Sequence, residues 1–109
     1  MFGFGQARHN EVNPDQLAAM LHSGTALVVD VREADEFAAG HIPGALNMPL
    51  SDFRPSQLPD PAGKVLVLNC AGGKRSAMAL DKCSTAQAAV DTHLAGGFGA
   101  WRAAGLPVE

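Results

Sequence analysis

Val65-Leu66-Val67-Leu68-Asn69-Cys70-Ala71-Gly72-Gly73-Lys74-Arg75-Ser76 is the stretch on which the reading of this chain turns. The apolar run at residues 65–68 has the composition of a buried strand. The run at residues 77–89 contains neither Gly nor Pro and reads as a helix. A cysteine therefore stands where a strand ends and a helix is about to begin, the edge at which open α/β sheets hold their ligands. Gly72 and Gly73 let the connecting loop curl with its N–H groups turned inward. Such a nest beside a helix N-terminus attracts anions. Lys74 and Arg75 add fixed positive charge. Each of these features lowers a thiol pKa, and the thiolate is the nucleophilic form. Cys70 thus reads as a nucleophile, with Ala71, Gly72, Gly73, Lys74, Arg75 and Ser76 as its anion cradle.

Outward from that loop the chain alternates strands and helices. Residues 9–12 suit a short first strand. Asn13 then reads as an N-cap and Pro14 as the first helical position, with Leu17, Met20 and Leu21 on one face and Gly24 as the stop. Residues 26–31 are nearly all apolar, as a strand buried on both faces should be. A short helix at 33–39 halts at Gly40, and His41-Ile42-Pro43-Gly44 is turn chemistry. A brief strand at 45–48 follows. Pro55, Pro59 and Pro61 make residues 51–63 mostly loop. The central strand spans 64–69 and the helix after the cysteine loop 76–87. A last strand at 90–94, a turn at Gly96-Gly97 and a helix at 98–104 complete the pattern. This alternation predicts parallel pairing, with helices on both faces of the sheet.

A chain of 109 residues is expected to form one domain, residues 1–109, with its core at about 11–108. Hydrophobic residues make up 47%, the ordinary share for a globular protein, so a full core is available. The net charge of -3 offers no basic surface for nucleic acid. No apolar run approaches the roughly 18 residues of a membrane span. The start, Met1 to Arg8, lacks the basic and apolar regions of a signal peptide. Two cysteines make no disulfide framework, and their spacing is not that of a zinc site. A cytoplasmic, reducing setting without a metal fits best.

Three separated stretches resemble the single-domain rhodanese (thiosulfate sulfurtransferase) family. The first is Asp30-Val31-Arg32-Glu33 with Phe37 and Gly40-His41-Ile42-Pro43-Gly44-Ala45-Leu46-Asn47. The second is the loop from Cys70 to Ser76, matching C-x-x-G-x-R-S. The third is Leu94-Ala95-Gly96-Gly97, then Trp101 and Gly105-Leu106-Pro107-Val108. The resemblance implies a three-layer α/β/α fold with a five-stranded, mostly parallel sheet. It also implies that Cys70 carries sulfur as a persulfide, taken from thiosulfate or a similar donor and passed to cyanide or a thiol. The implied partners are those small molecules, or a protein that accepts sulfur, and no cofactor is needed. One departure matters little: Gln87 occupies a place where relatives usually have a glycine ending the helix, so a weaker or differently built C-cap is expected.

Competing roles are weighed residue by residue. Cys83 lies on the same helix face as Ala79, Leu80 and Ala86, so core packing is favoured over a resolving thiol. Lys74 reads equally well as a solvated surface residue. Arg75 opposes the helix dipole, which points either to substrate or to a salt bridge with a nearby carboxylate. Asp30 and Arg32 read as structural, with Arg32 pairing Glu36 across one helical turn. His41 reads as a hydrogen-bonded turn residue and Trp101 as core. Two other functions compete. Cysteine phosphatases space cysteine and arginine as C-x5-R, whereas here four residues, Ala71 to Lys74, separate Cys70 from Arg75. That shorter ring suits a sulfur-sized anion better than a phosphate. A non-catalytic binding or regulatory module is the other rival; the intact cysteine loop argues against it but leaves open a sulfur relay to a protein partner.

Overall fold

The computed structural model of the chain describes residues 9–109; the reading of Met1 to Arg8 lies outside them. Five parallel strands form one sheet: β1 (Asn10–Val12), β2 (Ala26–Asp30), β3 (Leu46–Asn47), β4 (Val65–Asn69) and β5 (Thr92–Leu94). Their order is β1-β5-β4-β2-β3, so the two longest strands, β2 and β4, pair near the centre. Their register runs from Ala26 opposite Val65 to Asp30 opposite Asn69. Among the described residues four α-helices accompany the sheet: α1 (Pro14–His22), α2 (Ala34–Ala39), α3 (Lys74–Thr85) and α4 (Gly97–Ala103).

Side chains alternate across the strands, which divides the core into two layers. Val28, Val67 and Leu94 pack with Leu17 of α1, Ile42, and Phe98 and Trp101 of α4. Val29, Leu66 and Leu68 pack on the opposite face with Ala79, Leu80 and Cys83 of α3. The near-continuous apolar runs of β2 and β4 follow from this two-sided burial. At about 25 cal/mol per Å² of apolar surface removed from water, these layers supply the main driving force for folding.

Local signals set most helix boundaries as expected. Asn13 Oδ1 accepts from the Gln16 N–H and Gln16 Oε1 from the Asn13 N–H, both at 2.8 Å, a reciprocal capping box. Gly24, at φ 74°, ends the same helix. The expected start of α3 at residue 76 is corrected: it begins two residues earlier, at Lys74. Gly73 takes φ 105°, a left-handed conformation open to glycine, and this turns the loop directly into the helix. α3 ends at Thr85, and Gln87 then adopts φ 58°. The Gln87 N–H donates to the Ser84 carbonyl (3.0 Å) and the Ala88 N–H to the Cys83 carbonyl (2.8 Å), a complete Schellman cap built on glutamine. The proline-rich segment holds two single 3₁₀ turns, Leu50–Asp52 and Pro55–Gln57, where loop was expected. Among the described residues no helix is long and apolar enough to cross a membrane.

Candidate active site

Cys70 follows the last residue of β4, at the carboxyl edge of the sheet, and α3 starts four positions later. Its side chain is 1% exposed, whereas Ala71, Gly72 and Lys74 around it are exposed. The Gly73 N–H donates to Sγ at 3.0 Å. The Cys70 thiol in turn donates to the Ser76 hydroxyl oxygen, 3.5 Å from Sγ. Burial pushes the Cys70 thiol up, but hydrogen bonds with the Ser76 hydroxyl and the backbone of Ser76, Gly73 and Gly72 outweigh it, and the net shift is downward. The sulfur thus sits in a ring of donors at the positive end of a 12-residue helix.

The ring is held from outside by α4. The Phe98 N–H donates to the Cys70 carbonyl (2.7 Å) and the Gly99 N–H to the Ala71 carbonyl (3.0 Å). These bonds turn the first loop carbonyls away from the sulfur and leave the following N–H groups facing it. Such a close approach requires the glycine at 97: a Cβ there would lie 2.7 Å from the Ala71 carbonyl oxygen and nearer still to that of Cys70.

Of the two roles expected for Arg75, the structure shows the salt bridge. Arg75 Nη1 and Nη2 donate to Glu36 Oε1 and Oε2 at 2.7 and 3.0 Å, a two-pronged pair joining α3 to α2. Arg75 is therefore committed to Glu36, although its charge still reaches Cys70. The expected Arg32–Glu36 pair is corrected, because a closer and more buried carboxylate wins. Arg32 Nε and Nη2 bind both oxygens of Asp30 at 2.8–3.1 Å, and Nη2 also donates to the Gly40 carbonyl at 2.7 Å. The guanidinium stacks 4.4 Å over the Phe98 ring. Asp30 and Arg32 thus form a buried brace, in keeping with the structural role expected of them. Lys74 is exposed and makes no ion pair among the described residues. His41 bonds the Phe37 carbonyl through Nδ1 at 2.8 Å and stacks on the Phe37 ring, as a structural turn residue would. Cys83 is fully buried in the α3 layer, and burial pushes its thiol up.

One residue of this neighbourhood escaped the sequence reading. His93, in β5, is 5% exposed and places Nδ1 2.7 Å from the Ser76 hydroxyl. Its partner in the sheet register is Leu68, two residues before Cys70. A histidine in a three-residue strand carries no spacing signal; the register of β5 against β4 would have found it. Among the described residues no cluster of His, Cys, Asp or Glu gathers as metal ligands would. A cavity of about 540 Å³ opens at the other end of the sheet, against Leu21, Ala26, Lys64 and Trp101, and touches no residue of the cysteine loop.

Comparison with known proteins gives this arrangement a context. The family model described as rhodanese-like domain matches residues 13–104. An uncharacterized protein of Synechocystis sp. is 42% identical over 96 residues, covering 88% of this chain. The chain spans only 54% of that relative's length. A sulfurtransferase of Allochromatium vinosum is 33% identical over 102 residues, covering 91% of this chain and 94% of the relative. The crystal structure of a rhodanese-related protein from Thermoplasma volcanium superposes with a TM-score of 0.80 at 28% identity, over 93% of this chain and 98% of that one.

Proposed function

The chain belongs to the rhodanese-like domain family, and from that membership we propose that it is a sulfurtransferase working through a persulfide on Cys70. The observation that carries the reading is the seat of the thiol: a nearly buried Sγ under an exposed loop, with the Gly73 N–H 3.0 Å away and a net downward pull on its pKa. In the first half-reaction the Cys70 thiolate attacks the outer sulfur of thiosulfate or a similar donor. The donor's S–S bond breaks, its electron pair leaves with sulfite, and a new S–S bond forms on Cys70. The loop N–H groups from Ala71 to Ser76 then face the persulfide anion, fixed donors that need no reorganisation. In the second half-reaction cyanide or a thiol, free or on a partner protein, takes the outer sulfur and Cys70 leaves as thiolate. The sequence is double displacement through a covalent intermediate and needs neither metal nor cofactor.

The loop side chains divide the remaining work. Lys74, exposed at the mouth, draws in anionic donors. Arg75 contributes its charge from within the Glu36 pair and fixes the start of α3. Two free thiols suit a reducing compartment such as the cytosol. Thiocyanate formation from thiosulfate and cyanide tests the reading. Cys70→Ser should abolish it, and Cys83→Ser should keep most of it. Comparable losses in the two variants would bring Cys83 into the mechanism, and full activity in Cys70→Ser would end the proposal.

A further inference from the structure

We infer that Glu11, His93 and Ser76 form a proton relay to Cys70, in which Ser76 takes up the thiol proton as His93 takes up the proton of Ser76. The inference rests on the reading of Cys70 as the nucleophile. Its basis is a continuous line of contacts from the surface to the sulfur. Glu11 Oε2 lies 3.3 Å from His93 Nε2, His93 Nδ1 lies 2.7 Å from Ser76 Oγ, and Ser76 Oγ lies 3.5 Å from Cys70 Sγ. Ser76 is fully buried and His93 nearly so, while the Glu11 side chain is 57% exposed and meets solvent.

Hydrogen-bond chemistry gives the line a direction. A carboxylate can only accept, so Glu11 selects the histidine form that carries its proton on Nε2. Nδ1 is then an acceptor and faces the Ser76 hydroxyl. Ser76 Oγ also lies 3.1 Å from the Gly73 carbonyl, but at 2.7 Å the ring nitrogen is the closer acceptor. With its proton committed to Nδ1, Ser76 offers a lone pair to the thiol. The step balances: the S–H bond of Cys70 breaks and its proton forms an O–H bond on Ser76. The former hydroxyl proton forms an N–H bond on His93 Nδ1. The products are a thiolate and an imidazolium, the latter facing Glu11. His93 reaches the sulfur only through Ser76, so it is a positioning residue.

The groups facing His93 are few. From β1 come Glu11 and, just before the strand, His9, whose ring centroid lies 6.3 Å from that of His93 and whose Nε2 is bound to Asp81 of α3. From α3 comes Ser76. Burial, helped by His9 and opposed by Glu11, holds His93 below the ordinary histidine pKa. The ring is therefore neutral, and able to accept, above that lowered pKa. Acid fills Nδ1 and disarms the relay.

The test follows kcat and KM for thiosulfate against pH in the full chain. His93→Leu removes the acceptor and should lower kcat about tenfold or more near neutral pH, with KM little changed. The deficit should shrink at alkaline pH, where the thiol ionises without a base. Ser76→Ala should behave alike, and the double variant should be no worse than the weaker single one. Unchanged or raised kcat in both single variants overturns the relay, as does a deficit constant with pH, which marks packing alone. If the buried substitutions prevent folding, Glu11→Gln decides at the exposed end: the same pH signature in smaller size supports the relay, and a wild-type profile overturns it. Cys70→Ser is assayed alongside. If it is inactive, the other variants judge the relay alone; if it retains transfer, the reading beneath the relay fails instead.

Discussion

Glu36 serves two elements at once: its Oε1 accepts the Glu33 N–H at 3.0 Å, and both its oxygens accept from Arg75. The Arg75 hydrogen bonds, with the Glu33 N–H, hold its carboxyl down at about 2. The folded pKa lies below the unfolded one, so the pair stabilises the fold above the ordinary glutamate range and loses that effect as pH falls toward about 2. Because the two side chains are 31% and 36% exposed, solvent screening leaves about 0.5–1 kcal/mol. Glu36→Gln should lower the urea midpoint accordingly near neutral pH, and the gap to wild type should narrow in acid; a gap independent of pH would assign the effect to something other than the ion pair. Lys74→Ala should raise KM for thiosulfate and flatten its salt dependence while leaving Cys70 alkylation nearly unchanged, since the backbone donors survive. A large drop in alkylation rate would mean that the lysine, and not the backbone, holds the thiolate. At this scale the cysteine and its loop were legible, because glycines and charges beside a strand end are a local signal. The partners of Arg32 and Arg75 were not. Helical spacing offered Glu36 to Arg32, whereas Asp30, two residues back and buried, binds it bidentately, and Glu36 is met from 39 positions away.

The end of α3 and the start of α4 show what single backbone positions contribute to whole elements. Gln87 holds a left-handed conformation in a Schellman cap with both bonds formed. The weaker or differently built cap anticipated from the missing glycine is thus a complete set of bonds made in a conformation that disfavours glutamine. Gln87→Gly should stabilise the protein by about 0.5–1 kcal/mol, the relief of left-handed strain less the extra chain entropy of glycine. A loss of stability on thermal unfolding would mean that the Gln87 side chain contributes a contact of its own. Gly97 is the opposite case, since a Cβ there meets the carbonyls that shape the cysteine loop. Gly97→Ala should cost about 1–3 kcal/mol and, by pushing that loop, reduce sulfur transfer as well. Gly105→Ala is the control, for Gly105 shares the positive φ but has nothing within 4 Å of its Cβ direction; it should lose stability only. Equal effects on activity at the two sites would contradict the account of α4 as the loop's outer support. The helices and strands themselves could be read from apolar runs and caps. The two-residue advance of α3 could not, because it depends on the φ of Gly73 and no residue type fixes that angle.

Across the whole molecule, two apolar layers share one sheet, and we propose that residues 11–108 fold as a single cooperative domain. Trp101, the chain's one tryptophan, reports the α1–α4 layer, and Cys83 reports the α3 layer. In a Cys70→Ser background, tryptophan fluorescence and Cys83 accessibility should therefore change at one urea midpoint; separate midpoints would divide the layers into independent units. Parallel pairing and two-sided burial were legible from the β2 and β4 sequences. The strand order was not written in any local pattern, and with it went His93, which only the β4–β5 register places beside the cysteine loop. The claim on which all else depends is that Cys70 carries sulfur, and it is tested most directly by intact mass after incubation with thiosulfate and removal of the excess. Wild type and Cys83→Ser should each gain the mass of one sulfur, released again by cyanide, and Cys70→Ser should gain none; a sulfur adduct on Cys70→Ser, or no adduct on folded wild-type protein, would contradict it.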